Sequence, residues 1–152
     1  MTTEKVTGEF NVKLNPIEGY AKGIDGVNLG RMSIDKTFTG ELDATSTGEM
    51  LSAMTATQGS AGYVAIEQVV GTLAGLQGSF VLQHFGTMDK GQDSLILNVV
   101  PDSGSNELAG LSGKMAIRIE ACLVYTFDAA DDLPCVDLGG PRIIQKKKAH
   151  PI

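Results

Sequence analysis

The sequence predicts an all-β protein that forms a closed, eight-stranded antiparallel barrel in up-and-down (meander) order. Apolar and polar residues alternate with a period of two along several segments, which is typical of strands with one wet and one dry face. The 152 residues include 19 glycines, and turn-forming sequences separate about eight such segments. No segment has the pattern of a useful amphipathic helix. A sandwich is the other candidate, but consecutive hairpins without long crossovers favour the barrel.

The first third of the chain contains the clearest alternation. Residues 6–14 place their even-numbered side chains on a dry face, and Pro16 ends this strand. The glycine-rich segment IEGYAKGIDGVNLG then reads as a loop. A second strand has Met32, Ile34 and Phe38 on one side, where Lys36 interrupts the apolar pattern. Residues 40–57 read as one or two further strands with a bend near Gly48.

The middle of the chain predicts a hairpin. Residues 60–74 and 79–88 form two strands that meet at the turn Gly75-Leu76-Gln77-Gly78. Further strands are predicted at 94–100, 114–120 and 122–127, with a turn at Pro101-Asp102-Ser103-Gly104-Ser105. The pattern stops after Asp128, so we expect a barrel domain at 1–128 and a C-terminal extension or tail at 129–152.

Charge and composition exclude several classes of function. The net charge of −6 argues against non-specific nucleic-acid binding, and Lys146-Lys147-Lys148 reads as a solvated tail. The first ten residues lack the apolar core of a signal peptide, and no apolar run reaches about 18 residues. We therefore expect a cytoplasmic protein with no membrane contact, in which Cys122 and Cys135 are reduced.

The predicted hairpin lies in a long segment with very little charge. Between Met50 and Met88, Glu67 is the only Asp, Glu, Lys or Arg residue. If Gly75 pairs with Gly78, Glu67 and His84 lie on one face as diagonal neighbours. A three-residue loop would instead place them on opposite faces.

One face of this hairpin carries the larger aromatic side chains and the titratable pair, so we assign it to the barrel interior. Its members are Tyr63, Ala65, Glu67, Val69, Phe80, Leu82, His84 and Met88. The opposite face is uncharged and largely apolar. Such a face suits contact with a second subunit or with the chain's own loops, so we expect a homodimer.

Glu67 and His84 are the candidate catalytic residues, as a general acid/base pair, and Tyr63 can add a proton donor. Burial would raise the pKa of the carboxyl group, and a nearby imidazolium would lower it. The alternative is a buried hydrogen-bond network that fixes strand register. The candidate ligand-binding residues are Tyr63, Glu67, Phe80, Leu82, His84 and Met88.

Other kinds of site have little support. Ser60 does not lie in a G-x-S-x-G nucleophile elbow, because Gln58 replaces the first glycine. The only histidines are His84 and His150, and no C-x-x-C motif is present. We therefore expect no metal and no cofactor.

Three runs of sequence resemble the bacterial DUF3224 domain: GEMLSAM, GSAGYVAIEQVVGTLAGLQGSFVLQHFGTMDKG and VVPDSGSNELAGLSGKMAI. The resemblance covers roughly residues 8–127. It implies a closed meander barrel of eight antiparallel strands, of the allene oxide cyclase type, and no established reaction. The motif positions matched here are Gly48, Glu49, Met50, Ser60, Tyr63, Glu67, Ser79, Gln83, His84, Met88, Pro101, Ser103, Gly104, Glu107 and Gly113.

Three functions remain open from the sequence. The first is a barrel that binds a small apolar or amphipathic ligand in its interior. The second is a cofactor-free isomerase or cyclase that uses Glu67 and His84, by analogy with cyclases that share this barrel. The third is a structural or oligomerising barrel with a filled core.

Overall fold

The computed structural model describes residues 2–119 and 123–131. They form eight antiparallel strands in sequence order, and β8 pairs with β1 to close the barrel. The predicted fold is thereby confirmed. The strands are β1 (Thr2–Pro16), β2 (Asn28–Gly40), β3 (Leu42–Met54), β4 (Ala61–Leu73), β5 (Leu76–Asp89), β6 (Gln92–Val99), β7 (Leu111–Ile119) and β8 (Leu123–Asp131).

Of the one or two strands predicted in the segment 40–57, the structure has one, β3. The predictions for Cys122, Cys135, Lys146-Lys147-Lys148 and His150 lie outside the described residues. Within the described part of the chain, no helix has the length and apolar character needed to cross a membrane. The cytoplasmic location stays a prediction.

The turn between β4 and β5 lies two residues earlier than predicted. Leu73 pairs with Leu76, so Ala74 and Gly75 form a two-residue turn with φ angles of 51° and 85°. Positive φ at both positions is the geometry of a type I′ hairpin. The predicted turn glycine Gly78 instead lies inside β5, where a Cβ atom would come within 2.2 Å of the Ser105 carbonyl oxygen.

The corrected register leaves the predicted faces unchanged. Glu67 pairs with Leu82 and Ala65 pairs with His84, whereas the predicted pairing of Gly75 with Gly78 would have placed Gly86 opposite Glu67 and Val69 opposite His84. The pairing of β4 with β5 is shifted by an even number of residues. Because side chains alternate with a period of two along a strand, an even shift leaves every side chain on the predicted face. Glu67 and His84 therefore remain diagonal neighbours on the interior face.

One end of the barrel is filled by a tightly packed apolar core. Phe38 lies 5.6 Å from Phe10 and 5.7 Å from Tyr125, measured between ring centroids. Phe80 and Phe127 stack at 5.7 Å. Full burial of such a side chain stabilises the fold by about 1.5–3 kcal/mol, so this end is the main source of apolar stabilisation.

The Tyr125 hydroxyl group holds the corner between β2 and β3 by hydrogen bonds to its backbone. The hydroxyl group accepts a hydrogen bond from the backbone N–H of Leu42 at 2.7 Å. It lies 3.1 Å from the carbonyl oxygen of Thr39 and 3.0 Å from that of Leu42, to which it can donate. Burial raises the pKa of Tyr125, so the hydroxyl group stays protonated and can make both kinds of bond.

The segment between β6 and β7 covers the first half of β5, which β6 does not reach. The pairing of β5 with β6 starts only at Leu82 and Val99. Upstream of it, the segment supplies side-chain acceptors to backbone N–H groups of β5. These bonds join Val81 to Ser103 (3.0 Å), Ser79 to Ser105 (3.0 Å) and Gln77 to Glu107 (2.9 Å). The motif PDSGSNEL thus acts as a substitute edge strand.

Candidate functional site

A polar cluster lies in the middle of the barrel, between the apolar core and the opposite end. Glu67 on β4 is at its centre and has no exposed surface. Lys36 on β2 and Ser46 on β3 are cross-strand partners, and both point inward toward Glu67. His84 reaches the same carboxylate from β5. Alternation along four neighbouring strands therefore brings these side chains together.

Both carboxylate oxygens of Glu67 have hydrogen-bond donors. Ser46 Oγ donates to Oε1 at 2.5 Å. Lys36 Nζ donates to Oε2 at 2.8 Å, and His84 Nε2 lies 2.6 Å from the same oxygen. The carboxylate is thus saturated by three groups, as a buried charge requires.

The contacts hold Glu67 in its ionised form. Burial raises the pKa of its carboxyl group, but the hydrogen bond from His84 and the positive charge of Lys36 lower the pKa by a larger amount. The net effect takes the pKa from 4.5 to about 2. The sequence had left open which of the two influences would dominate. Glu67 is therefore a carboxylate throughout the physiological pH range.

Lys36 was not predicted as a site residue. Its side chain is 5% exposed, and its ammonium nitrogen lies 5.0 Å from the ring centroid of Phe10 and 5.8 Å from that of Phe38. Both rings can contribute cation–π attraction at these distances. The signal was present in the sequence, because Lys36 interrupts the apolar side of its strand between Ile34 and Phe38.

Gly48 allows Glu67 to take this position. The two residues are directly paired between β3 and β4. A Cβ atom on Gly48 would lie 2.6 Å from the Glu67 Cα atom and 2.1 Å from the Ile66 carbonyl oxygen. The glycine therefore allows β3 and β4 to approach each other closely at this position.

Tyr63 connects the cluster to the open end of the barrel. Its hydroxyl oxygen lies 3.1 Å from His84 Nδ1, and the two rings are 5.8 Å apart. Burial, together with the negative charge of Glu67, raises the pKa of Tyr63 to about 12. The hydroxyl group is therefore protonated at neutral pH.

A pocket of about 730 Å³ occupies this open end, and its size is within the usual range for small-molecule sites. The ends of the first six strands form its wall. The lining residues are Leu14, Asn28, Gly30, Met32, Met50, Ser52, Met54, Ala61, Gly62, Tyr63, Gly86, Thr87, Met88, Asp93, Ser94 and Leu95.

Only two of the residues predicted to bind a ligand line this pocket, namely Tyr63 and Met88. The other four, Glu67, Phe80, Leu82 and His84, are buried in the packed interior below it. They are buried because the core and the polar cluster fill the barrel from the other end. Tyr63 is the one candidate that both lines the pocket and contacts the cluster.

The described residues do not bring together three His, Cys, Asp or Glu side chains that could hold a metal ion. The carboxylate of Glu67 is already bound by an ammonium group, a hydroxyl group and an imidazole. The cluster is therefore balanced by protein groups alone.

Comparison with known proteins identifies the family. A sequence profile described as "Protein of unknown function (DUF3224)" matches residues 6–128. The chain belongs to the DUF3224 family. It is also similar to the crystal structure of a DUF3224 protein with unknown function from Shewanella oneidensis MR-1. The two are 65% identical, with a TM-score of 0.83, over 85% of this chain and 97% of that one. No curated protein matches.

Several of the DUF3224 motif positions have a structural explanation in this barrel. Glu67, His84 and Tyr63 form the line of contacts from the cluster to the pocket. Ser103 and Glu107 accept hydrogen bonds from the part of β5 that β6 does not reach. The motif residues therefore serve both the polar cluster and the edge of one strand.

Proposed function

We propose that this DUF3224 barrel binds a small, mostly apolar molecule in the pocket at its open end. The observation that carries the proposal is Tyr63, which lines a mostly apolar pocket and whose hydroxyl group is held by the buried His84, itself bound to Glu67. A fixed polar group in an apolar cavity is the usual design of a small-molecule site.

The size of the pocket suggests a moderate affinity. A ligand of about 12 non-hydrogen atoms, each contributing about 0.4 kcal/mol, would have a favourable binding free energy of about 5 kcal/mol. This free energy corresponds to a dissociation constant of about 0.2 mM. Further contacts with the flexible methionine side chains of the wall would bring it into the micromolar range.

The geometry argues against Glu67 as a general base. Its carboxylate does not line the pocket, both oxygens are occupied, and a pKa of about 2 makes it a weak base at neutral pH. His84 is buried, does not line the pocket, and contacts the pocket residue Tyr63. We therefore assign Glu67 and His84 to positioning Tyr63 rather than to an isomerase or cyclase reaction.

The experiment is native mass spectrometry of the gently purified protein, followed by denaturing extraction of any bound molecule. We expect a reproducible bound mass, which Ala61→Phe should remove by filling the pocket. Ala53→Phe is the matched control, because Ala53 lies on the outer face of the neighbouring strand. A bound mass that survives Ala61→Phe would contradict the assigned site.

We also propose that a second copy of the chain covers the outer face of β3–β6. Leu51, Val64, Phe85 and Ile96 are paired in one row across the four strands and are 47–55% exposed. A two-fold axis would pack one row against another without opposing charges in a protein of net charge −6. A patch about 26 Å long and about 19 Å wide covers about 500 Å².

This area is below the roughly 800 Å² per partner of a standard interface, so we expect a weak dimer. Sedimentation velocity should show association that increases with concentration. Phe85→Lys should keep the protein monomeric, and Thr37→Lys, on the exposed side of β2, should not. A wild-type protein that stays monomeric at about 1 mM would refute the dimer.

A further inference from the structure

We infer that the ligand of this pocket is an electrically neutral aromatic molecule with a hydroxyl group that hydrogen-bonds with the Tyr63 hydroxyl group. This inference rests on the proposed function and names the chemical class of its ligand. It depends on the contacts that hold Tyr63 below the pocket, on the charge of the wall and on the side chains that face the ligand.

The position of the Tyr63 hydroxyl group is set from below the pocket. The ionised carboxylate of Glu67 can only accept, so His84 Nε2 donates to it in their 2.6 Å contact. His84 Nδ1 lies 3.1 Å from the Tyr63 hydroxyl oxygen. Tyr63 is thus held by a side chain that is itself held by Glu67, and its hydroxyl group is the fixed hydrogen-bonding partner that we assign to the ligand.

The charge of the wall disfavours anions. Among the lining residues the only charged side chain is that of Asp93, which is acidic. The basic residues of the neighbouring surface groove are paired with carboxylates, Lys22 with Glu18 at 2.6 Å and Arg31 with Glu49 at 2.9 Å. A ligand carboxylate in the pocket would lose its hydration without gaining a cation, which is costly.

The wall also suits a flat ring. Four of the six methionines of the chain, Met32, Met50, Met54 and Met88, line the pocket. Thioether sulfur makes favourable contacts with aromatic rings, and the unbranched side chain adapts to different shapes. An aromatic ring with one hydroxyl group therefore meets both the apolar wall and the Tyr63 oxygen.

The test uses three probes that share one ring system: 2-naphthol, 2-methylnaphthalene and 2-naphthoate. The chain has no tryptophan, so naphthalene fluorescence can be titrated directly at pH 8. We expect 2-naphthol to bind at least tenfold more tightly than 2-naphthoate.

The Tyr63→Phe variant isolates the hydroxyl contact. It should weaken 2-naphthol binding by about fivefold, as expected for one hydrogen bond, and leave 2-methylnaphthalene unchanged. Tyr20→Phe, at a fully exposed tyrosine, should change neither affinity. Near-ultraviolet circular dichroism will show whether the Tyr63→Phe protein keeps its fold.

The outcomes separate the two proposals. If 2-naphthoate binds as tightly as 2-naphthol, or if Tyr63→Phe weakens both neutral probes equally, the inference about the ligand is refuted and the pocket still binds molecules. If none of the three probes binds at 1 mM, both the proposed function and this inference are refuted.

Discussion

Replacing Glu67 by glutamine tests the energetic role of the polar cluster. The change keeps the shape of the side chain but leaves Lys36, whose side chain is only 5% exposed, without its counter-charge. Loss of one partner of a buried ion pair costs about 3–5 kcal/mol. Domains of this kind have total stabilities of about 5–15 kcal/mol, so Glu67→Gln should remove a large share of the free energy of unfolding.

The partner variants should behave differently. Lys36→Met leaves Glu67 with its contacts to Ser46 and His84, so it should cost less than Glu67→Gln. The double variant Lys36→Met/Glu67→Gln removes both charges and should be less destabilised than the sum of the single variants. Arg31→Met is the control, because it breaks a partly exposed ion pair with Glu49 and should cost less than about 1 kcal/mol.

The assay is urea denaturation at pH 7, followed by far-ultraviolet circular dichroism. A loss below about 1 kcal/mol for Glu67→Gln, comparable to that of an exposed pair, would refute the reasoning. Strict additivity in the double variant would refute it equally, because it would mean that Lys36 and Glu67 do not interact.

The same pair predicts a dependence on pH. The pKa of Glu67 falls from 4.5 to about 2 on folding. This shift contributes about 3 kcal/mol to the free energy of unfolding at neutral pH. Because the folded pKa is the lower one, this stabilisation is present above pH 4.5 and is lost as the pH falls toward 2. Between these values the wild-type protein should lose about 3 kcal/mol more than Glu67→Gln does. Parallel pH profiles for the two proteins would contradict the assignment.

Two further substitutions test the packing. Gly48→Ala should cost several kcal/mol, because its Cβ atom would lie 2.6 Å from the Glu67 Cα atom. Gly62→Ala, where the nearest atom is 3.6 Å away, should cost less than about 1 kcal/mol, and similar melting temperatures for the two would refute this account. Tyr125→Phe should lose about 1–3 kcal/mol in urea denaturation, because it leaves the buried Leu42 N–H without its acceptor. A neutral effect would show that the corner needs no such bond.

Alternation was enough to predict the barrel and the interior face of the β4–β5 hairpin, because burial of one strand face imposes a period of two. The register was less accessible. Glycine marks both turns and close approaches, and the sequence cannot distinguish Gly75 in a turn from Gly78 under a covering segment. The face assignment withstood that mistake because the shift was even.

The site was only partly predictable, for two physical reasons. The contact between Glu67 and His84 is local to one hairpin, whereas Lys36 reaches Glu67 across β3, and that pairing is not encoded in any single segment. The sequence also cannot show where inward side chains pack and where they leave space. Phe80 and Leu82 fill the barrel, while Met32 and Met50 line the pocket.

The covering of β5 by the segment after β6 has a consequence for the motions of the barrel. Within the described residues, β6 and β7 share a single register pair, Asn98 with Lys114, because the connecting chain runs along β5 instead. Fewer backbone bonds protect this seam than any neighbouring one, and regions with few such bonds open first in native proteins. Amide hydrogens along the seam should exchange with solvent before those of β2–β4. The barrel thus has a preferred line along which its wall separates sideways while the rest stays folded.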